Sequence, residues 1–363
     1  MTFAAPLRVA LIGCGDISSH YLAGAGEFDE FRVVSCADLD LGRARALAAE
    51  FDLVPGTPEA VLADPDVEVV LNLTPPLAHA AVIAEALRAG KHVYSEKPLA
   101  TTTAAAGELI ALAQGEGLHL ACAPDTFLGP PYQAARALID DGVIGEPLGA
   151  FLGAVYGPPE RWHPNPQFLY GPGGGPLFDM GPYYLHVLVA LLGGVASVRA
   201  TARQGVEQRT IATGPLAGAQ FETSTPSDVS ALLELRSGVR ATLLASFDLV
   251  AHSLPRIEVY GSEATLSLPD PDRFDGPLQI KRAGGDWVTL DVAAAGPRDR
   301  RGAGLADLAR AIRAGERARL DASLALHAVE VMEGALTAAA TDAAVSMTTS
   351  CERPRAMRTL SER

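Results

Sequence analysis

From residue 7 to about residue 123, short apolar runs rich in β-branched residues alternate with Ala- and Leu-rich stretches. The runs are Leu7–Ile12, Phe31–Ala37, 67–73, His92–Ser95 and 118–123, and helical intervals include 79–89 and 103–114. Continuous apolar runs suit strands buried on both faces. Parallel neighbours cannot be joined by tight turns, so the intervals read as crossover helices. The pattern predicts a doubly wound parallel α/β sheet over the first third of the chain.

Beyond a helix expected over 131–140, strands follow one another with only turn signals between them. Residues 227–236 and 239–247 meet at Ser237-Gly238, 256–260 and 264–268 at Gly261-Ser262-Glu263, and 278–282 and 287–292 at Gly284-Gly285-Asp286. Such pairs read as hairpins and hence as an open, largely antiparallel sheet. Leu305, Leu308, Ala309 and Ile312, then Leu324, Ala328, Val331, Ala335 and Ala339, form apolar stripes of two closing helices on one face. The division predicted is a dinucleotide-binding domain over 1–124, a substrate-binding and oligomerisation α+β domain over 125–349, and a C-terminal tail over 350–363.

Composition narrows the class. A chain of 363 residues is longer than one ordinary core requires. With 29 basic and 43 acidic residues the net charge is −14, which opposes binding to nucleic acid or an anionic membrane. Cys14, Cys36, Cys122 and Cys351 are widely spaced without a CxxC pair, the usage of reduced thiols. No secretory leader or spanning segment is evident, so a cytoplasmic location is expected.

Val9–Ile12 runs into Gly13-Cys14-Gly15-Asp16-Ile17-Ser18, a glycine turn opening a helix. Gly13 permits the turn, and Gly15 lets a pyrophosphate approach the backbone where helix N–H groups point at it. Ser18 stands where a third glycine would govern only helix-to-strand closeness. Asp38, 23 residues after Gly15 at the end of the next strand, can accept both ribose hydroxyls of an adenosine. An acid there favours NAD over NADP, although Arg43 could either stack on adenine, meet a phosphate, or stand solvated, so NADP stays open.

Two further segments carry a family resemblance: Asn72-Leu73-Thr74-Pro75-Pro76-Leu77-Ala78-His79 and Tyr94-Ser95-Glu96-Lys97-Pro98-Leu99. With the Gly13 turn, the chain resembles the Gfo/Idh/MocA family of nicotinamide-dependent sugar and cyclitol oxidoreductases. The resemblance extends to Gly173-Gly174-Gly175 with Asp179 and Gly181, to 257–261, and to 307–312. It implies a Rossmann domain, a C-terminal open sheet, cofactor at the strand ends and substrate between the domains. Thr74, Pro75 and His79 would lie in a cofactor loop. Independently, lysine is rare here, at positions 91, 97 and 281 only, against 26 arginines. A lysine at a strand's carboxyl end is a compact, adjustable proton donor, and Glu96 could hold its ammonium or a nicotinamide ribose.

Residues 151–184 contain eight of the 21 aromatic residues, interleaved with Gly and Pro. Flat apolar faces with polar edges suit a sugar ring, and also suit a subunit contact; we favour the sugar pocket. Asp179-Met180-Gly181-Pro182-Tyr183-Tyr184-Leu185-His186 departs from the family pattern by placing Tyr183 at the usual acid/base histidine and His186 at the usual second acid. A phenol, with an ordinary pKa of about 10, must be acidified by roughly 3 units to work at neutral pH, and a nearby ammonium can supply much of that. Tyr183 is thus expected to carry the proton, Lys97 to tune it, and Asp179 to orient Lys97 or a substrate hydroxyl. His186, one turn on, is the rival base. Asp125, Trp162 and His163 are further candidates to line the substrate, and the spacing of His163, Asp179 and His186 matches no zinc pattern, so no metal is expected.

The function expected is hydride transfer between nicotinamide and a ring hydroxyl or ketone of a sugar, sugar derivative or cyclitol. The alternatives are a redox-neutral glycosidase or epimerase that returns the hydride, and a catalytically silent dinucleotide-binding regulator. The open sheet face predicts a homodimer or homotetramer.

Overall fold

The computed structural model describes residues 5–292 and 301–357, and these group into two compact units, Met1–Leu128 with Pro297–Leu326 and Gly129–Gly296 with His327–Arg363. The first unit is therefore discontinuous in sequence. Its opening elements are β1 (Leu7–Ile12), α1 (Asp16–Ala25), β2 (Phe31–Ala37), α2 (Leu41–Phe51), β3 (Val54–Gly56), α3 (Pro58–Ala63), β4 (Val69–Asn72), α4 (His79–Arg88), β5 (His92–Ser95), α5 (Thr103–Gly115) and β6 (Leu120–Cys122). The strands form one parallel sheet in the order β3-β2-β1-β4-β5-β6. All four residues of β4 are buried, as a central strand covered on both faces demands. Capping is local: the Asp40 side chain accepts from Gly42 N–H, Thr57 from Ala60 N–H with Pro58 at the first helical position, and Thr102 from Ala105 N–H. The strand order reverses between β1 and β4, the place where open α/β sheets bind ligands at their carboxyl ends.

The second unit contains α6 (Pro130–Asp140), β7 (Pro147–Val155), α7 (Gly175–Leu192), β8 (Val195–Arg203), β9 (Gln208–Thr210), β10 (Gln220–Glu222), β11 (Asp228–Leu235), β12 (Arg240–Ser246), β13 (Ile257–Gly261), β14 (Ala264–Leu268), β15 (Gln279–Arg282) and β16 (Val288–Thr289). Then α8 (Ala303–Ala314) rejoins the first unit, α9 (Ala322–Thr341) begins in the first unit and ends in the second, and β17 (Val345–Ser346) closes the large sheet. That sheet has nine strands in the order β16-β15-β14-β13-β7-β12-β11-β8-β17, and only β7 and β12 pair in parallel. In β11 buried and exposed residues alternate, so one sheet face is covered and the other is open. The cover includes α7, which packs on β7, β11 and β12; every α7 residue except Asp179 is buried, as expected of a helix that is apolar all round. Residues beyond 350 are held in part: Arg353 Nη2 donates to Asp140 Oδ1 at 2.8 Å, and Gln133 Oε1 accepts the Met357 N–H at 2.9 Å.

Two histidines make folding sensitive to acid. His92 Nδ1 accepts the His119 N–H at 3.0 Å, and His327 Nε2 accepts the Val195 N–H at 2.9 Å. Protonating either ring would turn an acceptor towards an N–H. Burial, aided by His119 at one site and Arg236 at the other, pulls each pKa down to about 4. The unfolded chain takes up these protons near pH 6.5, so stability present at neutral pH is lost as pH falls from about 6.5 towards about 4. Thermal unfolding is expected at progressively lower temperature through that window, with a shallower slope in His92→Gln; an equal slope in the variant would refute the assignment.

Candidate active site

At the end of β1, Gly13 has φ +103°, and a Cβ there would sit 2.6 Å from the Leu73 carbonyl carbon, so the chain passes too close to the β4 exit for any side chain. Gly15 has φ −87° and a Cβ on it would meet no protein atom within 4 Å. Neither backbone strain nor packing therefore requires glycine at 15; the start of α1 is left open there, and the residues fit a bound dinucleotide. Asp16 and Ile17 form the first turn of α1, and Ser18 Oγ donates to Gly15 O at 2.5 Å. Asp38 Oδ2 accepts the Cys14 N–H and Oδ1 accepts the Asp40 N–H, each at 2.8 Å. Each oxygen keeps a second lone-pair direction for a ribose hydroxyl. Arg43 lies 3.8 Å from Asp40, both side chains being largely exposed.

Across the switch point, Asn72 Oδ1 accepts the Thr74 N–H at 3.2 Å and its hydroxyl at 2.7 Å, and Asn72 Nδ2 donates to Ser95 Oγ at 3.1 Å. Pro75 leads into the short 3-10 turn Pro76–Ala78. His79 is fully buried: Nδ1 lies 2.6 Å from Pro98 O and Nε2 2.7 Å from Thr74 O, so the ring braces the β4 exit against the Glu-Lys-Pro turn and offers no nitrogen to a ligand. Burial holds its pKa below the usual histidine value against the pull of the two carbonyls.

Glu96 is buried, with Oε1 accepting the Tyr21 hydroxyl at 2.8 Å and Oε2 the Lys97 N–H at 3.0 Å. Burial works to raise its pKa, but Arg301, Lys97 and these hydrogen bonds prevail and hold it below the usual carboxylate range. Lys97 itself is half-buried. Asp125, expected against the substrate, is fully buried instead: its Oδ2 accepts the N–H groups of Gly302 and Gly304 at 3.1 and 3.0 Å and anchors the start of α8. A Cβ on Gly304 would come within 2.4 Å of the Tyr94 hydroxyl.

In the second unit, Asp179, Tyr183 and His186 fall at i, i+4 and i+7 of α7 and so share a face; Tyr183 and His186 are buried and Asp179 is half-buried. Trp162 and Phe168 are exposed and sandwich His163 edge-on, with ring centroids 5.6 and 5.4 Å from it. Most of the aromatic run is architecture. Tyr184 donates to Gly153 O, the Tyr156 hydroxyl to Asp270 Oδ1, and the fully buried Tyr170 lies under the Arg209 guanidinium, 4.4 Å from its ring centroid. Arg209 meets Glu160 Oε1 at 2.9 Å and also pairs with Asp248. Sequence reasoning missed Asn72, Tyr21, Arg301 and Arg209. The signal at Asn72 was an amide closing an otherwise apolar strand; the three others carry none.

Among the described residues, no group of three or more His, Cys, Asp or Glu side chains is placed to hold a metal ion, and no helix is long and apolar enough to cross a membrane.

A parallel sheet with a glycine turn at its switch point and a buried Glu-Lys-Pro turn defines a dinucleotide-binding enzyme class, and comparison with known proteins gives the family. Residues 7–123 match the profile described as the oxidoreductase family, NAD-binding Rossmann fold, and residues 132–267 match the GFO/IDH/MocA C-terminal domain. The chain belongs to the Gfo/Idh/MocA family and is an NAD-binding oxidoreductase. It is 28% identical over 279 residues to trans-1,2-dihydrobenzene-1,2-diol dehydrogenase of Bos taurus, covering 76% of this chain and 78% of that protein. It is 35% identical over 198 residues to dTDP-3,4-didehydro-2,6-dideoxy-alpha-D-glucose 3-reductase of Actinomadura kijaniata, covering 52% of this chain but only 57% of the reductase. An NAD binding oxidoreductase from Klebsiella pneumoniae has a similar fold, with a TM-score of 0.80 at 24% identity over 95% of this chain and all of that one. Levoglucosan dehydrogenase solved with NADH and L-sorbose gives a TM-score of 0.79 at 22% identity, covering 94% of this chain and 99% of that one.

Proposed function

We propose that this oxidoreductase interconverts a ring hydroxyl and ketone of a sugar, sugar derivative or cyclitol, with Tyr183 as acid/base and Lys97 tuning it. The observation that carries the reading is the shared α7 face of Asp179, Tyr183 and His186, which groups a phenol, a carboxylate and an imidazole on one rigid element. NAD, when bound, accepts or returns the hydride. Tyr183 takes the proton of the substrate hydroxyl in oxidation and gives it back to the developing alkoxide in reduction. The Lys97 ammonium stabilises the phenolate or alkoxide, and Asp179 orients that ammonium or a substrate hydroxyl. Trp162 and His163, next to Phe168, offer flat faces for a ring. Two relatives support the substrate class, because the names of both describe oxygenated rings, a dihydrobenzene diol and a didehydro sugar.

The test is a panel of sugars, sugar derivatives and inositols incubated with NAD or NADP, following NADH absorbance and product together. Net absorbance change with product supports dehydrogenation; product without it identifies the redox-neutral glycosidase or epimerase; cofactor binding without product identifies a silent regulator. A homodimer or homotetramer covering the open sheet face, where Leu232 is exposed, is likewise our reading.

Asp38→Ala is expected to weaken NAD binding about 10- to 100-fold, the loss of charge-assisted ribose hydrogen bonds, and to relax discrimination against NADP. Titration with both nucleotides checks it; unchanged selectivity would refute the ribose role.

A further inference from the structure

The buried Glu96 carboxylate joins three parts of the first unit. Oε1 takes the Tyr21 hydroxyl from α1 at 2.8 Å, Oε2 takes the Lys97 N–H at 3.0 Å, and Arg301 Nη1, arriving from just ahead of α8, lies 3.8 Å from Oε1. Residue 301 is fixed in turn by its neighbour, since the Gly302 and Gly304 N–H groups are held by Asp125 Oδ2. A buried carboxylate thus lies beside a guanidinium at the carboxyl end of β5, where Lys97 emerges.

We propose that Arg301 is a positioning residue for Lys97: its charge keeps the Glu96 side chain anionic, and that anion clamps the Lys97 peptide and supplies the field its ammonium feels. The inference rests on the catalytic reading of Lys97 given above. A carboxylate this deeply buried needs a cation or it takes up a proton, and a protonated Glu96 loses half its hold as an acceptor. The other groups facing it cannot replace Arg301. Burial pushes the Tyr21 and Tyr94 hydroxyls and the Cys122 thiol up, which keeps them neutral. Burial holds the His79 pKa below its usual value against the pull of Pro98 O and Thr74 O, which its two nitrogens already face, and burial raises Asp125, an anion when ionised. Only Lys97 remains, and it is the group being positioned.

Removing the guanidinium should therefore move the Glu96 titration upward, by at least about one pH unit for an opposite charge at this distance. In Arg301→Met the acid limb of the kcat profile should rise with it, turnover being lost on the acid side at a pH where the parent enzyme retains it. The KM for NAD should change by less than about threefold, and Arg301→Lys should restore the parent profile. The Glu96 titration is read without cofactor by 13C NMR of the glutamate-labelled apo-protein, the resonance being identified by its absence in Glu96→Gln; Asp125 does not appear in that spectrum. Arg301→Gln carries the same comparison if the methionine variant does not fold. An unshifted Glu96 resonance, or a shift that the kcat profile does not follow, overturns the proposal. If Lys97→Met leaves turnover intact, the catalytic reading fails, and the NMR titration still decides whether Arg301 governs Glu96.

Discussion

Tyr183→Phe should lower kcat by at least about 100-fold, equivalent to about 2.7 kcal/mol of transition-state stabilisation, while leaving NAD affinity within about twofold. The substitution removes one oxygen from α7 and keeps the ring that packs there, so the helix and its buried neighbours have no reason to move. The competing assignment gives the proton to His186, whose ordinary titration range already spans neutral pH. The two residues are three apart on one helix, close enough to serve the same patch, so position alone does not separate them. Chemistry does. A phenol needs a cation to become acidic, which couples its contribution to Lys97; an imidazole does not. Lys97→Met should therefore cost about as much as Tyr183→Phe, and the double variant little more than either, as for groups acting as a unit. If His186→Ala produces the large loss and Tyr183→Phe does not, the roles are reversed. Additive losses at 97 and 183 would refute the coupling while leaving Tyr183 as acid/base.

What could be read ahead of the structure follows from how local its cause is. β4 and β11 were legible because their burial is written in consecutive residues, continuous in one and alternating in the other. Gly13 was legible because a tight turn against a neighbouring strand end needs one residue type at one place. β7 was not, since Pro147–Val155 is short of β-branched residues, and its parallel pairing with β12 joins segments about 90 residues apart. The hydrogen bonds of Asp125 were not legible for the same reason. Its partners, Gly302 and Gly304, lie 177 and 179 residues away, and no local pattern marks it as the anchor of α8. The aromatic run of 151–184 was legible as composition only. Hydrogen bonds to Gly153 and Asp270 and an ion cluster around Tyr170 commit several of its rings to architecture, and leave Trp162 and Phe168 exposed.

That ion cluster carries the largest expected effect on stability. Arg209, 4% exposed, stands between Glu160 and Asp248 with its guanidinium over the Tyr170 ring. Glu160 also accepts the Tyr170 hydroxyl at 2.5 Å, and Asp248 Oδ2 accepts the Ser227 hydroxyl at 2.8 Å. One cation thereby ties β9 to the turn 159–161 and to the chain leaving β12, and so fixes the loop that carries Trp162 and His163. Arg209→Met keeps most of the apolar stem but leaves two desolvated carboxylates facing each other, for which a loss of about 3–5 kcal/mol is expected. The cost comes from the stranded anions more than from lost attraction, so neutralising them should return much of it. Adding Glu160→Gln and Asp248→Asn to Arg209→Met should recover at least about half of the stability in urea unfolding, because each amide oxygen still accepts while no charge remains buried. A loss below about 1 kcal/mol in the single variant would place the cluster in the class of surface ion pairs despite its burial. A triple variant no more stable than the single one would move the cause from electrostatics to the packing of the guanidinium on Tyr170.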